Sequence, residues 1–219
     1  MTKHFALSHI LAIFAPKCAR AYRAHPHFIY LIYKSTSKMP AEQYKEHPLK
    51  LFGYCPRCGS NHFGINDFKS KKCGDCGFIF YFNPIAATVA VIVNEKNELL
   101  VARRAKEPAK GTLDLPGGFT DSFETAEEGV SREVAEETGL AVKETRYLFS
   151  LPNKYIYSGF EEHTMDLFFL CKVEGEALTP ADDVEELRWI PMEDVVPGEF
   201  GLQSISKGIE KLKTIYKTI

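Results

Sequence analysis

The feature that most constrains the fold is an acid-rich stretch, GFTDSFETAEEGVSREVAEETGL, between Gly118 and Leu140. Thr125 and Glu128 have the spacing of a capping box, which is typical of a helix N-terminus. Gly139 suits the left-handed residue that often closes a helix. The residues between them contain no proline and favour helix. We therefore predict a helix from about residue 126 to residue 138.

Three glutamates of this helix lie close together. At 100° per residue, Glu133, Glu136 and Glu137 fall within an arc of roughly 100° that also borders apolar positions. Repulsion between such neighbours costs a few tenths of a kcal/mol per pair, and more when they are desolvated. A hard divalent cation, Mg2+ or Mn2+, takes carboxylate ligands and would remove this repulsion. From the helix alone, a solvated acidic face is the alternative.

The surrounding residues resemble the Nudix box. The matching pattern is Gly118, five residues, Glu124, seven residues, Arg132-Glu133-Val134, one residue, Glu136-Glu137, one residue, and Gly139-Leu140. With seven fixed identities at about one in fifteen each, and two apolar positions, chance would produce it about once in a billion start positions. The resemblance implies an α/β fold, a Nudix α/β/α sandwich with a mixed sheet, over residues 84–219. It also implies hydrolysis of nucleoside diphosphates linked to another moiety.

The resemblance assigns a role to each matched position. The three clustered glutamates would bind the metal, and Gly117 would offer it a backbone carbonyl. Arg132 and Glu124 would hold the loop and the helix in register. Mg2+ would neutralise diphosphate oxygens and lower the pKa of a bound water, which would attack phosphorus in line.

Four of the six cysteines form two CxxC pairs separated by fourteen residues. The pairs are Cys55 with Cys58 and Cys73 with Cys76. Each pair is followed by glycine, and four thiolates close a tetrahedral structural Zn2+ site. A redox CxxC is the alternative, which the presence of two pairs and the missing βαβ context disfavour. We predict a small zinc ribbon over residues 39–83, and a buried thiol at Cys171.

A zinc ribbon ahead of a Nudix domain resembles the NADH pyrophosphatase group. That group carries an SQPWPFP-type signature, where this chain reads Ser150-Leu-Pro-Asn-Lys-Tyr155. The departure leaves the substrate open among dinucleotides such as NADH, ADP-ribose and nucleotide sugars. The competing class is a non-catalytic regulator that binds a ligand or nucleic acid, and the intact box disfavours it.

Two candidate substrate contacts lie at the end of a predicted hairpin. Ala86–Val93 and Glu98–Arg104 have the apolar pattern of two strands, and the residues between them that of a turn. Arg103 and Arg104 end the second strand. One of them would make a forked contact to a substrate phosphate, and a solvated pair on an edge is the alternative.

Further contacts are predicted in a long aromatic connection between two strands, Val142–Leu151 and Thr164–Val173. In it, Tyr155, Tyr157 and Phe160 have rings that could stack on a base, although aromatic residues in strands usually serve packing. Three residues near its end are candidates for a general base: Glu161, Glu162 and His163.

The C-terminal part is predicted to close the domain. Asp182–Trp189 is an acid-rich segment that leads into a short strand, and Pro191–Val195 is predicted as a helical turn. An apolar stripe at helical spacing then predicts a core-packing helix. The stripe consists of Leu202, Ile205, Ile209, Leu212, Ile215 and Ile219.

Charge is unevenly distributed along the chain. Residues 1–38 hold six of the 27 Lys and Arg residues and no acid, so the remainder is acidic. Nucleic-acid binding by bulk charge is therefore disfavoured, except for a capped RNA end, whose mark would be a basic groove. Apolar runs fall short of the roughly 20 residues that span a bilayer, so we predict no membrane partner.

Three interpretations of residues 1–38 stay open. The segment is a signal peptide, a mitochondrial-type presequence, or a tail upstream of a natural start at Met39. The last is favoured because a zinc-thiolate module belongs in a reducing compartment, which predicts a cytoplasmic protein. The sequence leaves the oligomeric state open, with a homodimer as one option.

Overall fold

The computed structural model of the chain describes residues 46–175 and 177–215, and only the backbone of Tyr155. The tail predicted for residues 1–38 lies outside the described residues, as do residues 39–45 of the predicted ribbon and Ile219 of the apolar stripe. The division into a ribbon and a following domain at residue 83 stays a prediction.

The cysteine-rich part folds as a small antiparallel sheet. Its strands are β1 Phe63–Asp67, β2 Ser70–Cys73 and β3 Ile79–Tyr81, in the order β1-β2-β3. Phe63 and two of the cysteines are buried in a core of their own. So small a core is typical of a module that needs a metal or disulfide for stability.

The rest of the described chain forms two sheets, two α-helices and a short 3-10 helix, Pro197–Glu199. The elements are β4 Ile85–Val91, β5 Glu98–Arg104, β6 Leu113–Asp114, α1 Ala126–Thr138, β7 Ala141–Tyr157, β8 Phe160–Glu174, β9 Val184–Pro191 and α2 Gln203–Ile215. The first sheet has the order β4-β8-β7, with β4 parallel and β7 antiparallel to β8. The second has the order β6-β5-β9 and is antiparallel.

Strand β4 is covered on both faces, because its alternate side chains enter two different cores. Val89 packs in the cluster that contains Ile209 of α2. Its neighbour Ala90 packs in the cluster that contains Val130 of α1. A strand buried on both faces reads as a continuous apolar run, as β4 does. The predicted α/β/α sandwich with a mixed sheet is confirmed.

The predicted hairpin between the first two strands of this domain is only partly correct. Val93 bridges Leu99, and the N–H of Leu100 donates to the carbonyl of Ile92 at 2.9 Å. Beyond this turn the strands diverge, because β4 pairs in parallel with β8 while β5 pairs with β9. Local pattern predicts the turn, whereas the long-range partners decide the sheet.

The predicted long aromatic connection is wrong. β7 and β8 pair in regular register from Phe149 to Tyr157, and Ser158-Gly159 alone form the turn. Both turn residues have positive φ, 49° and 77°, which suits a two-residue hairpin loop. Aromatic and β-branched residues before the turn favour a strand. The segment Pro191–Val195 also differs from its prediction, since it ends β9 and continues as a non-helical turn.

Both α-helices of the described part have 13 residues. Neither is long and apolar enough to cross a membrane.

Helix α2 lies so close to the sheet that only glycine fits at one position. A Cβ on buried Gly208 would lie 2.4 Å from Cε1 of Phe168, which is itself fully buried. We expect Gly208→Ala to lower the free energy of unfolding by about 1–3 kcal/mol, although alanine is the better helix former. Urea unfolding would measure the change. Gly198→Ala is the control because its added Cβ meets no atom within 4 Å, and equal stability of the two variants would contradict this packing.

Candidate active site

The glycines before α1 bring backbone against strand β4 and against the helix acids. Gly117 has φ 148°, and a Cβ there would lie 2.1 Å from the carbonyl oxygen of Thr88. A Cβ on Gly118 would lie 2.5 Å from Oε1 of Glu133. The N–H of Thr88 donates to the carbonyl of Gly118 at 2.7 Å. Gly117 therefore excludes any side chain because it faces backbone, whereas a side chain at Gly118 would displace the carboxylate of Glu133. Both glycines place the loop backbone beside the carboxylates.

Helix α1 begins and ends where the sequence predicts. Thr125 and Glu128 form both hydrogen bonds of the capping box, and Gly139 is left-handed with φ 75°. Val130 and Val134 anchor the helix in the core and are fully buried. With these positions fixed, the direction of each glutamate is determined by the helical period.

Arg132 ties the helix to the loop before it. Its Nε and Nη2 donate to the two carboxylate oxygens of Glu124 at 2.9 and 3.0 Å, and Nη2 also donates to the carbonyl of Phe119 at 3.0 Å. The N–H of Asp121 donates to the same carboxylate at 2.9 Å. Hydrogen bonding to Arg132 lowers the pKa of Glu124. The paired fork holds the loop in one position.

The three predicted metal-binding acids occupy three different environments. Glu137 is buried, and its Oε2 accepts from the N–H of Gly117 at 2.9 Å. Glu133 is largely buried and accepts from Nη1 of Arg132 at 2.8 Å. Glu136 is half exposed and lies 3.0 Å from the same nitrogen. The helix therefore presents a graded set of acids that runs from the interior to the surface.

Burial, together with the nearby carboxylates of Glu133, Asp114 and Asp183, raises the pKa of Glu137 to about 8, against the lowering effect of the hydrogen bond from Gly117. Burial also raises the pKa of Glu133, against the opposing effect of Arg132. The ionised forms of these two side chains are therefore destabilised when no cation is bound.

A cavity of about 360 Å³ lies beside the loop and the helix, a volume suited to a small ligand. Glu133 and Glu137 line it from the helix, whereas Glu136 stays outside the lining. Asn153, Thr164 and Asp166 line it from β7 and β8. The cavity thus joins a carboxylate side to a polar sheet side.

The residues present fit a divalent cation. Among the described residues, Glu137 accepts one hydrogen bond, from Gly117, and pairs with no Lys or Arg. None of the backbone hydrogen bonds found in the described part ends on the carbonyl of Gly117. Carboxylate and carbonyl oxygens are ligands that Mg2+ and Mn2+ take.

The four paired cysteines converge, and their sulfurs lie within 4.8 Å of one another. Sγ of Cys55 is 3.7 Å from that of Cys76, and Sγ of Cys58 is 3.7 Å from that of Cys73. A Zn–S bond of about 2.3 Å gives a tetrahedron with an edge of about 3.8 Å. The cluster therefore has the dimensions of a Zn2+ site.

The two glycines that follow the cysteine pairs close the turns of the cluster, and the other candidate residues lie outside it. Gly59 and Gly77, which follow the two pairs, have φ of 73° and 72°, so each knuckle closes on a left-handed glycine. His62 is exposed, and its Nδ1 lies 3.0 Å from Asp75, outside the cysteine cluster. Cys171 belongs neither to the cysteine cluster nor to the cavity lining. It is buried as predicted, and burial raises its pKa to about 12.

The structure separates the predicted substrate contacts. Arg103 lies outside the cavity lining, where it pairs with Glu186 at 3.0 Å and donates to a backbone carbonyl. Arg104 lines the cavity, but its Nη1 is paired with Asp114 at 2.5 Å. Tyr157 lines the cavity and is mostly exposed. The side chain of Tyr155 is outside the described part.

The three candidates for a general base lie outside the cavity lining. The ring of His163 packs edge-on against Phe82, and its Nε2 lies 2.9 Å from Glu161. Asn153 and Asp166, which do line the cavity, were absent from the predicted site. The pairing of β7 with β8 is the signal that would have placed both side chains on one face. The prediction of a loop at Asn153 concealed this pairing.

The burial of Glu137 yields a stability prediction. In buffer near pH 7 without added Mg2+ or Mn2+, we expect Glu137→Gln to raise the free energy of unfolding by roughly 1–3 kcal/mol. The carboxyl pKa rises from its ordinary 4.5 to about 8 on folding, so the native acid opposes folding increasingly as the pH rises through this interval. The gain should vanish near pH 4. Chemical unfolding would measure it, with exposed Glu127→Gln as control, and a variant no more stable than the native protein would contradict the burial.

The cysteine geometry yields a second prediction. We expect the purified protein to hold one equivalent of Zn2+ and Cys73→Ala to lose it, since three thiolates bind less tightly than four. Elemental analysis would measure the metal. Cys171→Ala is the matched control, because it removes a buried thiol outside the cluster and should retain the zinc. Loss of zinc from both variants, or from neither, would contradict the assignment.

Comparison with known proteins agrees with this fold. The family model of the NUDIX domain matches residues 83–209. The chain is 30% identical over 152 residues to the NAD-capped RNA hydrolase NudC of Vibrio parahaemolyticus, which covers 69% of this chain and 55% of that protein. It is 33% identical over 135 residues to the ADP-ribose pyrophosphatase of Methanocaldococcus jannaschii, which covers 61% and 77%.

Among solved structures, the MutT NUDIX hydrolase from Burkholderia pseudomallei superposes with a TM-score of 0.52 at 26% identity, covering 59% of this chain and 98% of that one. The match to the Vibrio protein spans only about half of its length. The family model, in contrast, covers more than half of this chain and includes the whole glycine loop and α1. The chain therefore belongs to the NUDIX family.

Proposed function

We propose that the protein is a Mg2+- or Mn2+-dependent hydrolase that cleaves the diphosphate linkage of a nucleoside diphosphate derivative. The observation that carries this proposal is the cavity that the buried carboxylates of α1 share with the glycine loop. Closely placed acids suit a metal, and Glu137 pairs with no Lys or Arg among the described residues. The absence of side chains at Gly117 and Gly118 leaves the loop backbone open to an anion.

The proposed metal ligands are Glu133 and Glu137, with Glu136 at the outer edge and the carbonyl of Gly117. A cation held there would neutralise phosphate oxygens and supply a nucleophilic water. Glu137 also accepts from the N–H of Gly117, so one carboxylate would orient both the helix and the loop. Such orientation of ligands by hydrogen bonds is common around metal sites.

Arg132 is assigned a positioning role. Its guanidinium is occupied by Glu124, Glu133, Glu136 and the carbonyl of Phe119. These contacts leave it suited to fixing the loop and two of the acids rather than to binding phosphate. The cation of Arg132 would also reduce the repulsion between the outer carboxylates.

The proposed substrates contain two bridged phosphates. The similar proteins are a NAD-capped RNA hydrolase and an ADP-ribose pyrophosphatase, whose names both describe diphosphate-linked nucleotides. We rank dinucleotides such as NADH slightly above ADP-ribose-like compounds and nucleotide sugars. A capped RNA end belongs to the same chemical class.

A hydrolysis panel tests the proposal. We expect Mg2+-dependent release of a nucleoside monophosphate from NADH, ADP-ribose or a nucleotide sugar, and incorporation of 18O from labelled water into one phosphate product. Glu137→Gln should reduce kcat/KM by a factor of about 100 or more, while Glu127→Gln should leave it unchanged. Mass spectrometry would identify the products.

Two outcomes would contradict the proposal. One is release of orthophosphate from simple nucleoside triphosphates with no activity on any diphosphate-bridged compound. The other is undiminished hydrolysis by Glu137→Gln, which would remove the helix acids from the reaction. Tight binding of these compounds without hydrolysis would instead favour a ligand-binding regulator.

A further inference from the structure

The sheet side of the cavity carries a polar group that neither the metal site nor Arg132 uses. Asn153 of β7 lies directly opposite Thr164 of β8 in the register of the hairpin. Asp166, two residues further along β8, shares their face because side chains alternate along a strand. All three line the cavity.

The neighbours of Asn153 are satisfied by hydrogen bonds within the protein. The hydroxyl of Thr164 donates to Oδ1 of Asp166 at 2.5 Å, and the hydroxyl of Ser204 donates to Oδ2 at 2.5 Å. Asp114, also in the lining, accepts from Arg104 and from the N–H of Leu115. Thr164, Asp166 and Asp114 therefore all have hydrogen-bond partners within the protein.

Asn153 differs from these three neighbours in the cavity lining. The residue is 7% exposed, and its buried Oδ1 has no hydrogen-bond partner among the described residues. Most buried polar atoms in proteins are paired, and an unpaired buried amide destabilises the fold that contains it. An apolar residue would fit a half-buried strand at no such cost. A ligand that enters the cavity would provide this amide with a partner.

The chemistry of a carboxamide restricts that ligand. Asparagine presents an acceptor and two donors in one plane. It pairs best with a planar edge that carries a donor next to an acceptor, which is how asparagine contacts adenine in nucleic acids. Phosphate offers acceptors alone, and its place in the proposed function is at the metal. The matching edge belongs to a heterocycle rather than to the diphosphate.

We propose that Asn153 determines specificity by binding the amide-like edge of the heterocycle in the substrate. The inference rests on the proposed function for the identity of the ligand class. Two parts of a dinucleotide carry this edge, the nucleobase and the carboxamide of a nicotinamide ring. Asn153 also lies in the Ser150–Tyr155 segment, where this chain departs from the NADH pyrophosphatase signature.

Equilibrium binding in buffer without added Mg2+ or Mn2+ tests the inference without any need for hydrolysis. The probes are AMP, nicotinamide mononucleotide and ribose 5-phosphate, titrated by calorimetry into the native chain and into Asn153→Leu. We expect the variant to lose about tenfold or more in affinity for the mononucleotide whose ring Asn153 contacts, the equivalent of one good hydrogen bond. Affinity for ribose 5-phosphate, which lacks a ring edge, should be unchanged.

The control is Lys154→Gln, the next residue in β7, whose exposed side chain alternates to the other face. It should bind all three probes like the native chain. Asn153→Val is a second apolar variant in case leucine does not fit. The melting temperature of either Asn153 variant should be equal to or above that of the native chain, because an unpaired buried amide has been removed.

The outcomes separate the possibilities. Loss for AMP alone assigns the edge to the nucleobase, loss for nicotinamide mononucleotide alone assigns it to the carboxamide, and loss for both shows that either edge binds. Equal affinity of Asn153→Leu and the native chain for both mononucleotides would overturn the inference. So would an equal loss for ribose 5-phosphate with a lowered melting temperature, since that pattern indicates a structural role. Ring-dependent binding by a chain that hydrolyses nothing would keep this inference and reject the proposed function.

Discussion

The structure of the site depends on the close approach of the glycine loop to both β4 and α1. At Gly117 the backbone lies so near to the backbone of Thr88 that no Cβ fits, and at Gly118 it lies against the carboxylate of Glu133. In return, the N–H of Gly117 binds the buried carboxylate of Glu137. The loop is therefore fixed to the helix by this hydrogen bond and to the strand by the hydrogen bond from Thr88 to Gly118. Together these contacts keep the buried carboxylate of Glu137 beside the loop backbone.

The sandwich supplies the rigid support for this contact. Residues of β4 alternate between the core under α2 and the core under α1, so the strand beside the loop cannot slide without disturbing both. Arg132 fixes the opposite side through Glu124. The free energy of folding thus offsets the repulsion among the acids, which is the usual relation between a stable scaffold and a destabilised site.

How well each part of the fold could be predicted depended on how far apart in sequence its interacting residues lie. Helix α1, with its cap at Thr125 and its end at Gly139, is coded by neighbours in sequence, and its bounds were predicted correctly. The two cysteine pairs are likewise recognised from neighbouring residues alone, because each is a CxxC motif. The separation of β4 from β5 and the continuation of β7 to Tyr157 depend on distant partners. Missing that continuation also concealed Asn153, since only the paired register shows which residues face the cavity.

The most direct test of the central claim is a crystal structure of the protein grown with Mn2+, with anomalous data that distinguish manganese from zinc. The account predicts a manganese peak within coordination distance of carboxylate oxygens of Glu133 and Glu137 and of the carbonyl of Gly117, and a separate zinc peak among the four cysteines. Manganese bound elsewhere, with these carboxylates unliganded, would contradict it.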